Sequence, residues 1–297
     1  MAITNRMIPL RAALEEARKN KTALGHFNVS DMTMAHAVAR VAARLNVPVI
    51  MGVSEGERDF WGLGAIVALV AFLRKEYGVA LYLNADHTHS IERVRQACEA
   101  GFDAVLFDAG KETLDENIAR TRSVVDMVRA FNGQHDTDIL VEGELGYIGA
   151  GSVILEHIPE GVSVKPEDLT RPEDAMRFVK ETCVDLLAPA VGNLHGMFEH
   201  SSNPALDIAR IREIAGAVET LLVLHGGSGI VTDQVQQAVA AGVAVVHVST
   251  ELRVAWRKGL ELALLSHQKE IAPYKILPDV THAIEKIVEE KLHVLGT

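Results

Sequence analysis

The chain of 297 residues carries 29 lysines and arginines against 40 aspartates and glutamates, a net charge of −11, and is 48% hydrophobic. That balance argues against nucleic acid or an anionic membrane surface as the main partner, because both reward basic patches, so an anionic substrate must be held locally. The length and apolar content can fill a sizeable core. Cys98 and Cys183 are the only cysteines, each read as lying inside a helix, which speaks against a disulfide framework and fits a reducing cytoplasm.

In chain order, MAITNRMIPLRAALEEARKNK reads as a short helix after Pro9, with no apolar segment and cleavage site of the kind that directs export. The run TALGHFNV (22–29) reads as a strand and MTMAHAVARVAARLN as an amphipathic helix. VPVIMGVS (47–54) is the second strand. WGLGAIVALVAFL (61–73) is shorter than the roughly 20 residues a bilayer crossing needs and is expected to be a buried helix. Strands ALYLNADH (80–87), DAVLFDAG (103–110), DILVEGELG (138–146), LLAPAVG (186–192), TLLVLHGG (220–227) and VAVVHVST (243–250) follow. Between them lie helical segments such as SIERVRQACEAG and VTDQVQQAVAAG, several closing on glycine or asparagine as C-caps do.

Eight near-continuous apolar strands alternating with helices predict parallel strands covered on both faces. They point to a closed (β/α)8 TIM barrel spanning residues 1–297, with a short N-terminal helix and a C-terminal helical extension. An open doubly wound sheet is the rival. It usually carries a glycine-rich turn after its first strand, where this chain has NVSDMT.

A barrel of this kind works at the C-terminal ends of its strands. Those ends present Asn28, Ser54, Asp86 with His87, Asp108, Glu144, and His225 followed by GGSG; the sixth strand leads into Asn193 and His195. A lone histidine is more often a hydrogen-bonded structural residue than a ligand, so His26, His36 and His247 mean little singly, and His135 and His157 are assigned to loops. His87, His195 and His225 gain weight from their coincidence at one face of three strands. Three neutral imidazoles with an open position describe a catalytic zinc site, the metal acting as a Lewis acid. Asp86 is left as acid or base. Successive side chains on a strand alternate in direction, so Asp86 and His87 both reach the site only if the chain bends or the strand ends there.

In LHGGSG (224–229) three glycines allow close backbone approach, and their N–H groups with Ser228 can hold a phosphate without lysine; VST after the eighth strand lies where many barrels bind one. Lewis acid, carboxylate and phosphate cradle together suit cleavage or formation of a C–C bond beside a carbonyl. The other common route uses a Schiff-base lysine, yet none of the eight runs contains one, and Lys111, beyond the fourth strand, is the nearest.

The segments FNVSD (27–31), VIMGVSEG (49–56), ADH (85–87), GFDAVLFD (101–108), VEGELG (141–146), AVGNLHG (190–196), VLHGGSG (223–229) and STELR (249–253) resemble the class II, metal-dependent ketose-bisphosphate aldolases, such as the fructose- and tagatose-bisphosphate enzymes, over nearly the whole chain. The resemblance implies catalytic zinc on His87, His195 and His225, and Asp86 moving the proton on the hydroxyl of the bond that breaks. It implies a possible second metal position at Asp108 and Glu144. Gly196, Gly226, Gly227, Ser228 and the segment holding His247, Ser249 and Thr250 match contacts to the phosphate of dihydroxyacetone phosphate, with a monovalent cation (Na+ or K+) nearby. Asn28 and Ser54 are further substrate-binding candidates. The resemblance also implies a sugar-phosphate substrate and a homodimer or homotetramer.

Three departures stand out. HGMFEH puts Glu199 where the family commonly has lysine. HVST puts His247 and Ser249 where asparagine and aspartate are usual. GYIGAGSVILEHIPEG lacks the usual Glu-Asp, leaving Glu156 or His157 as substitutes in the second proton step. Two rivals follow: a metal-dependent hydrolase using His87 and His89 as an H-x-H pair, and a sugar-phosphate sensor without turnover.

Overall fold

The structure, a computed structural model, describes residues 8–149, 151–198, 200 and 202–296. Helix α1 (Leu10–Asn20) precedes strand β1 (Leu24–Asn28), α2 (Met32–Leu45), β2 (Val49–Val53), α3 (Glu55–Trp61), α4 (Leu63–Tyr77) and β3 (Leu81–Thr88). Then come α5 (Ile91–Ala100), β4 (Ala104–Phe107), α6 (Leu114–His135), β5 (Leu140–Leu145), the two-residue β6 (Ile154–Leu155), α7 (Pro172–Thr182), β7 (Leu186–Pro189) and the equally short β8 (Met197–Phe198). The chain closes with α8 (Ile208–Ala217), β9 (Leu221–Leu224), α9 (Thr232–Ala240), β10 (Val243–Val248), α10 (Thr250–Ser266) and α11 (Pro273–Val294).

Eight of these strands, all parallel, close in the order β1-β10-β9-β7-β5-β4-β3-β2, and the surrounding helices complete a (β/α)8 barrel. β6 and β8 pair outside it over the mouth. Outward strand residues such as Phe27, Met51, Leu83, Phe107 and Val141 pack against the helices. The inward residues divide by height. Leu24, Ile50, Tyr82, Leu140, Leu186, Leu221 and Val245 form an apolar lower plug with Leu10, Ala13, Leu14 and Ala17 of α1. Helix α1 thus seals the N-terminal end. Arg11 ties it to Asp138 and Asp185, just ahead of β5 and β7, and Arg18 donates to the Glu219 carbonyl ahead of β9 at 2.8 Å. Above the plug the inward side chains are polar.

Several expectations need correction. The segment 61–73 holds the end of α3, a break at Gly62 and most of α4, in which only the stripe Ile66, Val70 and Leu73 is buried, and Phe72 keeps 52% of its surface exposed. Lacking polar residues does not give a helix two partners: on the outside of a barrel one stripe meets the strands, whatever the other faces are made of. His135 ends α6 rather than lying in a loop, because the helix runs on past Gly133 to an Asp136 cap in the left-handed region. Cys183 is likewise the cap beyond α7. Among the described residues no helix is long and apolar enough to cross a membrane.

Candidate active site and metal centre

How Asp86 and His87 share one face is answered by a β-bulge. Ala85 pairs with Val105 and Thr88 with Phe107, so two residues of β3 oppose the single Leu106 of β4. The bulged His87 takes φ 39°, in the left-handed region that non-glycine residues rarely adopt. This breaks the alternation and sends both side chains to the mouth. Arg58, buried on α3, holds the kink: Nη1 donates to the carbonyls of Val53 (2.7 Å) and Asp86 (3.0 Å), and Nη2 to Thr88 Oγ1 (2.9 Å).

His87, His195, His225 and Glu144 each bring one ligand atom within 4.8 Å of the others. The hydrogen bonds leave the right atoms free. His87 Nδ1 lies 2.9 Å from Asp108 Oδ2, so it donates there and leaves Nε2 open. His225 Nε2 donates to Glu142 Oε1 at 2.7 Å, leaving Nδ1. His225 Nδ1, His195 Nε2 and Glu144 Oε2 are buried with no hydrogen-bond partner, a cost that a cation among them would remove. Imidazoles whose second nitrogen is fixed by a carboxylate are the usual form of metal-ligating histidine. The donor set therefore fits a divalent metal.

Electrostatics agree. Burial, reinforced by His87, keeps His195 well below the ordinary histidine range and His225 at about 3, so both are neutral bases at pH 7. Burial also opposes charge on His87, but Asp86, Asp108 and Glu144 outweigh it and raise its pKa to about 10. Burial and the nearby Asp108 push Glu144 well above the carboxylate range. Burial opposes ionisation of Asp86, yet His87 and His247 override it and hold that carboxyl well below its usual range, so Asp86 is an anion. A metal arriving at His87 must displace its proton. Because that proton is held until pH passes about 10, metal affinity of the metal-free protein should rise with pH from 7 to 9, with at least one proton released per ion; calorimetry in two buffers of different ionisation enthalpy measures it, and a release of zero contradicts the ligand role of His87.

Asp86 lies beside this group, with Oδ2 accepting from Asn28 Nδ2 at 2.9 Å. Asn28 also donates to Glu57 Oε2 at 3.2 Å, so its amide is committed within the site. The cavity above, about 330 Å³, is lined by Asn28, Ser54, Asp86, His87, Asp108 and His195, and on its other side by Gly196, Gly226, Ser228, His247, Ser249 and Thr250. Gly227 is missing from that lining. Its N–H donates to the His247 carbonyl at 2.8 Å and an added Cβ would lie 2.7 Å from Val246, so it serves close strand packing. Ser54 gives its hydroxyl to Glu57 Oε2 at 3.0 Å and caps α3. Asp108 and Glu144 separate: Asp108 braces His87 and accepts from the Gly110 amide at 3.1 Å, while Glu144 belongs to the ligand group. Lys111 sits over the Tyr147 ring at 4.7 Å. Glu156 and His157 are exposed and do not line the cavity, because the β6 pairing with β8 carries their loop across the rim. Glu199 lies outside the described residues.

The H-x-H reading fails on geometry. The bulge ends the alternation that would have aligned His87 and His89, and His89 is mostly exposed, with Nδ1 3.3 Å from the Asp108 carbonyl. His89→Ala should therefore leave metal stoichiometry unchanged in elemental analysis; loss of the ion would restore the hydrolase reading.

Some participants were not anticipated. His26, dismissed when taken alone, stacks on His247 in the barrel. Asn84 and Glu142 join them, and each sits two residues before a polar strand tip (Asn28, Asp86, Glu144), so alternation places them on the same inward face. Arg253, held by Glu57 at 2.7 Å, is the sole lysine or arginine lining the cavity among the described residues.

Comparison with known proteins agrees with this geometry. The family pattern described as fructose-bisphosphate aldolase class II matches residues 8–297. A fructose-bisphosphate aldolase of Staphylococcus aureus is 30% identical over 294 residues, covering 98% of each chain. The crystal structure of the YdjI aldolase from Escherichia coli K12 superposes with a TM-score of 0.79 at 25% identity, covering 98% of this chain and 97% of that one. A fructose-bisphosphate aldolase structure from Campylobacter jejuni shares the fold, with a TM-score of 0.79 at 20% identity over 97% of this chain and 94% of the other. A match along essentially the full described length, meeting a barrel whose mouth holds three facing imidazoles and an ionised aspartate, makes this chain a member of the class II fructose-bisphosphate aldolase family and an aldolase, a carbon–carbon lyase.

Proposed function

We propose that this aldolase reversibly cleaves a ketose phosphate, of the fructose- or tagatose-bisphosphate kind, into dihydroxyacetone phosphate or a close analogue and an aldehyde, using zinc on His87, His195 and His225. The observation that carries the reading is the trio of ring nitrogens left open around one point beside the Asp86 anion. Bound zinc supplies Lewis acidity toward the carbonyl oxygen of the substrate. Asp86, fixed by Asn28 and kept ionised at neutral pH, accepts the proton of the hydroxyl next to the scissile bond and returns it in the condensation direction.

Phosphate would lie against Gly226, Ser228, Ser249 and Thr250, where α10 begins and the positive end of the helix favours an anion, and Arg253 adds the fixed positive charge. A monovalent cation near this phosphate belongs to the same reading. Asp108 acts as a brace for His87, and Glu144 is the carboxylate available to a metal that shifts position. The assembly is a homodimer or homotetramer working in the cytoplasm, a compartment that suits two free cysteines.

The test is a panel of phosphorylated and unphosphorylated ketoses incubated with the zinc-loaded enzyme, reading released triose, with chelator and borohydride arms. Chelation should stop cleavage and zinc restore it. Irreversible inactivation by borohydride with substrate would demand a Schiff base and overturn the metal route.

A further inference from the structure

We propose that His247 is a positioning residue for Asp86 and that His26 and Gly52 form the seat that fixes its ring. The inference rests on the reading of Asp86 as the proton carrier. His26 and His247 are register partners on the neighbouring strands β1 and β10, and their rings lie parallel, 3.5 Å apart with 2° between planes. His247 Nδ1 approaches Asp86 Oδ1 to 3.5 Å. Asp86 Oδ1 is buried and makes no hydrogen bond, so the His247 ring nitrogen at this distance is the group that faces it, whereas Oδ2 is already held by Asn28. His247 therefore supplies the second restraint on the carboxylate, and two restraints rather than one decide which lone pair faces the cavity.

Parallel rings cannot act as a metal pair. Imidazole lone pairs lie in the ring plane, so two stacked rings send theirs side by side and not toward one ion. The stack is a support instead. His26 Nε2 accepts from Asn84 Nδ2 at 3.0 Å, which stops that ring from turning. The room for it comes from Gly52: a Cβ there would sit 2.0 Å from His26 Cε1 and 2.5 Å from Nε2. Any side chain at position 52 must expel the His26 ring and remove the platform under His247.

The experiment uses the full zinc-loaded chain and compares two reactions. Cleavage needs the proton transfer at the hydroxyl assigned to Asp86; exchange of the carbon-bound proton of dihydroxyacetone phosphate with deuterated water does not, since that molecule lacks the hydroxyl. His247→Phe keeps a ring for the stack and loses the N–H. It should keep its zinc, change KM by less than about threefold and lower kcat of cleavage by about 10–100-fold, the scale on which a misplaced catalytic group loses rate. The loss in cleavage should exceed the loss in exchange at least about tenfold. His247→Asn, whose amide N–H can reach the place of Nδ1, should recover most of the difference.

Gly52→Ala should lower cleavage in the native background and add less than about threefold in the His247→Phe background, because both changes act through one contact. His26→Ala provides the same arm without an added atom, should the Gly52 variant not fold. Metal titration of each metal-free variant is the readout independent of turnover, and affinity should be conserved. Equal losses in cleavage and exchange, a fall in metal affinity, or additive effects of the two changes would each overturn the proposal. Asp86→Ala run in parallel separates the levels: if it cleaves normally, the reading of Asp86 fails, whatever His247 does.

Discussion

Replacing Asp86 with alanine is expected to leave the metal bound while lowering kcat of cleavage by about 10²–10⁴-fold, the range a positioned acid or base contributes. The two halves of that expectation have separate causes. The open ligand atoms belong to His87, His195, His225 and Glu144, and Asp86 is outside that set, so the donor count survives the change. Turnover is lost because, among the described residues, the other carboxylates beside the ligands are already committed: Glu142 is pushed up to about 7 by burial and receives His225, and Asp108, though ionised, is bound to His87. Elemental analysis with steady-state kinetics checks both halves. A variant that loses its zinc would return Asp86 to the ligand set.

His225→Ala should be more severe. One of three nitrogen ligands disappears, and Glu142, buried beneath it, loses the N–H it accepts. An unsatisfied buried carboxyl costs about 1–3 kcal/mol, so the variant should melt several degrees lower as well as fail to hold stoichiometric metal. Cleavage should fall to background and excess zinc should not restore it. The milder Glu142→Gln retains an acceptor for His225 and should weaken metal affinity by no more than about 10–100-fold, the usual effect of an outer partner. If His225→Ala keeps both metal and turnover, the ion sits elsewhere.

The barrel was legible because parallel strands covered on both faces leave eight short apolar runs, each followed by an amphipathic helical segment. The polar strand ends were legible for the same reason: Asp86, Glu144 and His225 interrupt apolar text. What stayed hidden was depth. A histidine at position 26 reads as a buried core residue until β10 is known to be its neighbour, because the pairing of first and last strands is a property of closure and not of local pattern. The bulge at His87 was demanded by the chemistry yet had no local signature, such as a glycine; it is imposed by Arg58 from another element. Helix α4 shows the converse, since apolar composition signals willingness to be buried and not the presence of a partner. Glu156 and His157 were misjudged because the course of a rim loop follows from the β6–β8 pairing, which two residues in each strand cannot announce.

The seal that α1 makes across the floor has a kinetic consequence. Substrate and both fragments pass through the same mouth, and a fragment seated deeper is covered by the one nearer the opening until that one departs. Splitting one sugar should therefore follow an ordered release scheme, in which the inner fragment, last out and first in, competes with the intact sugar for the empty enzyme while the outer fragment does not.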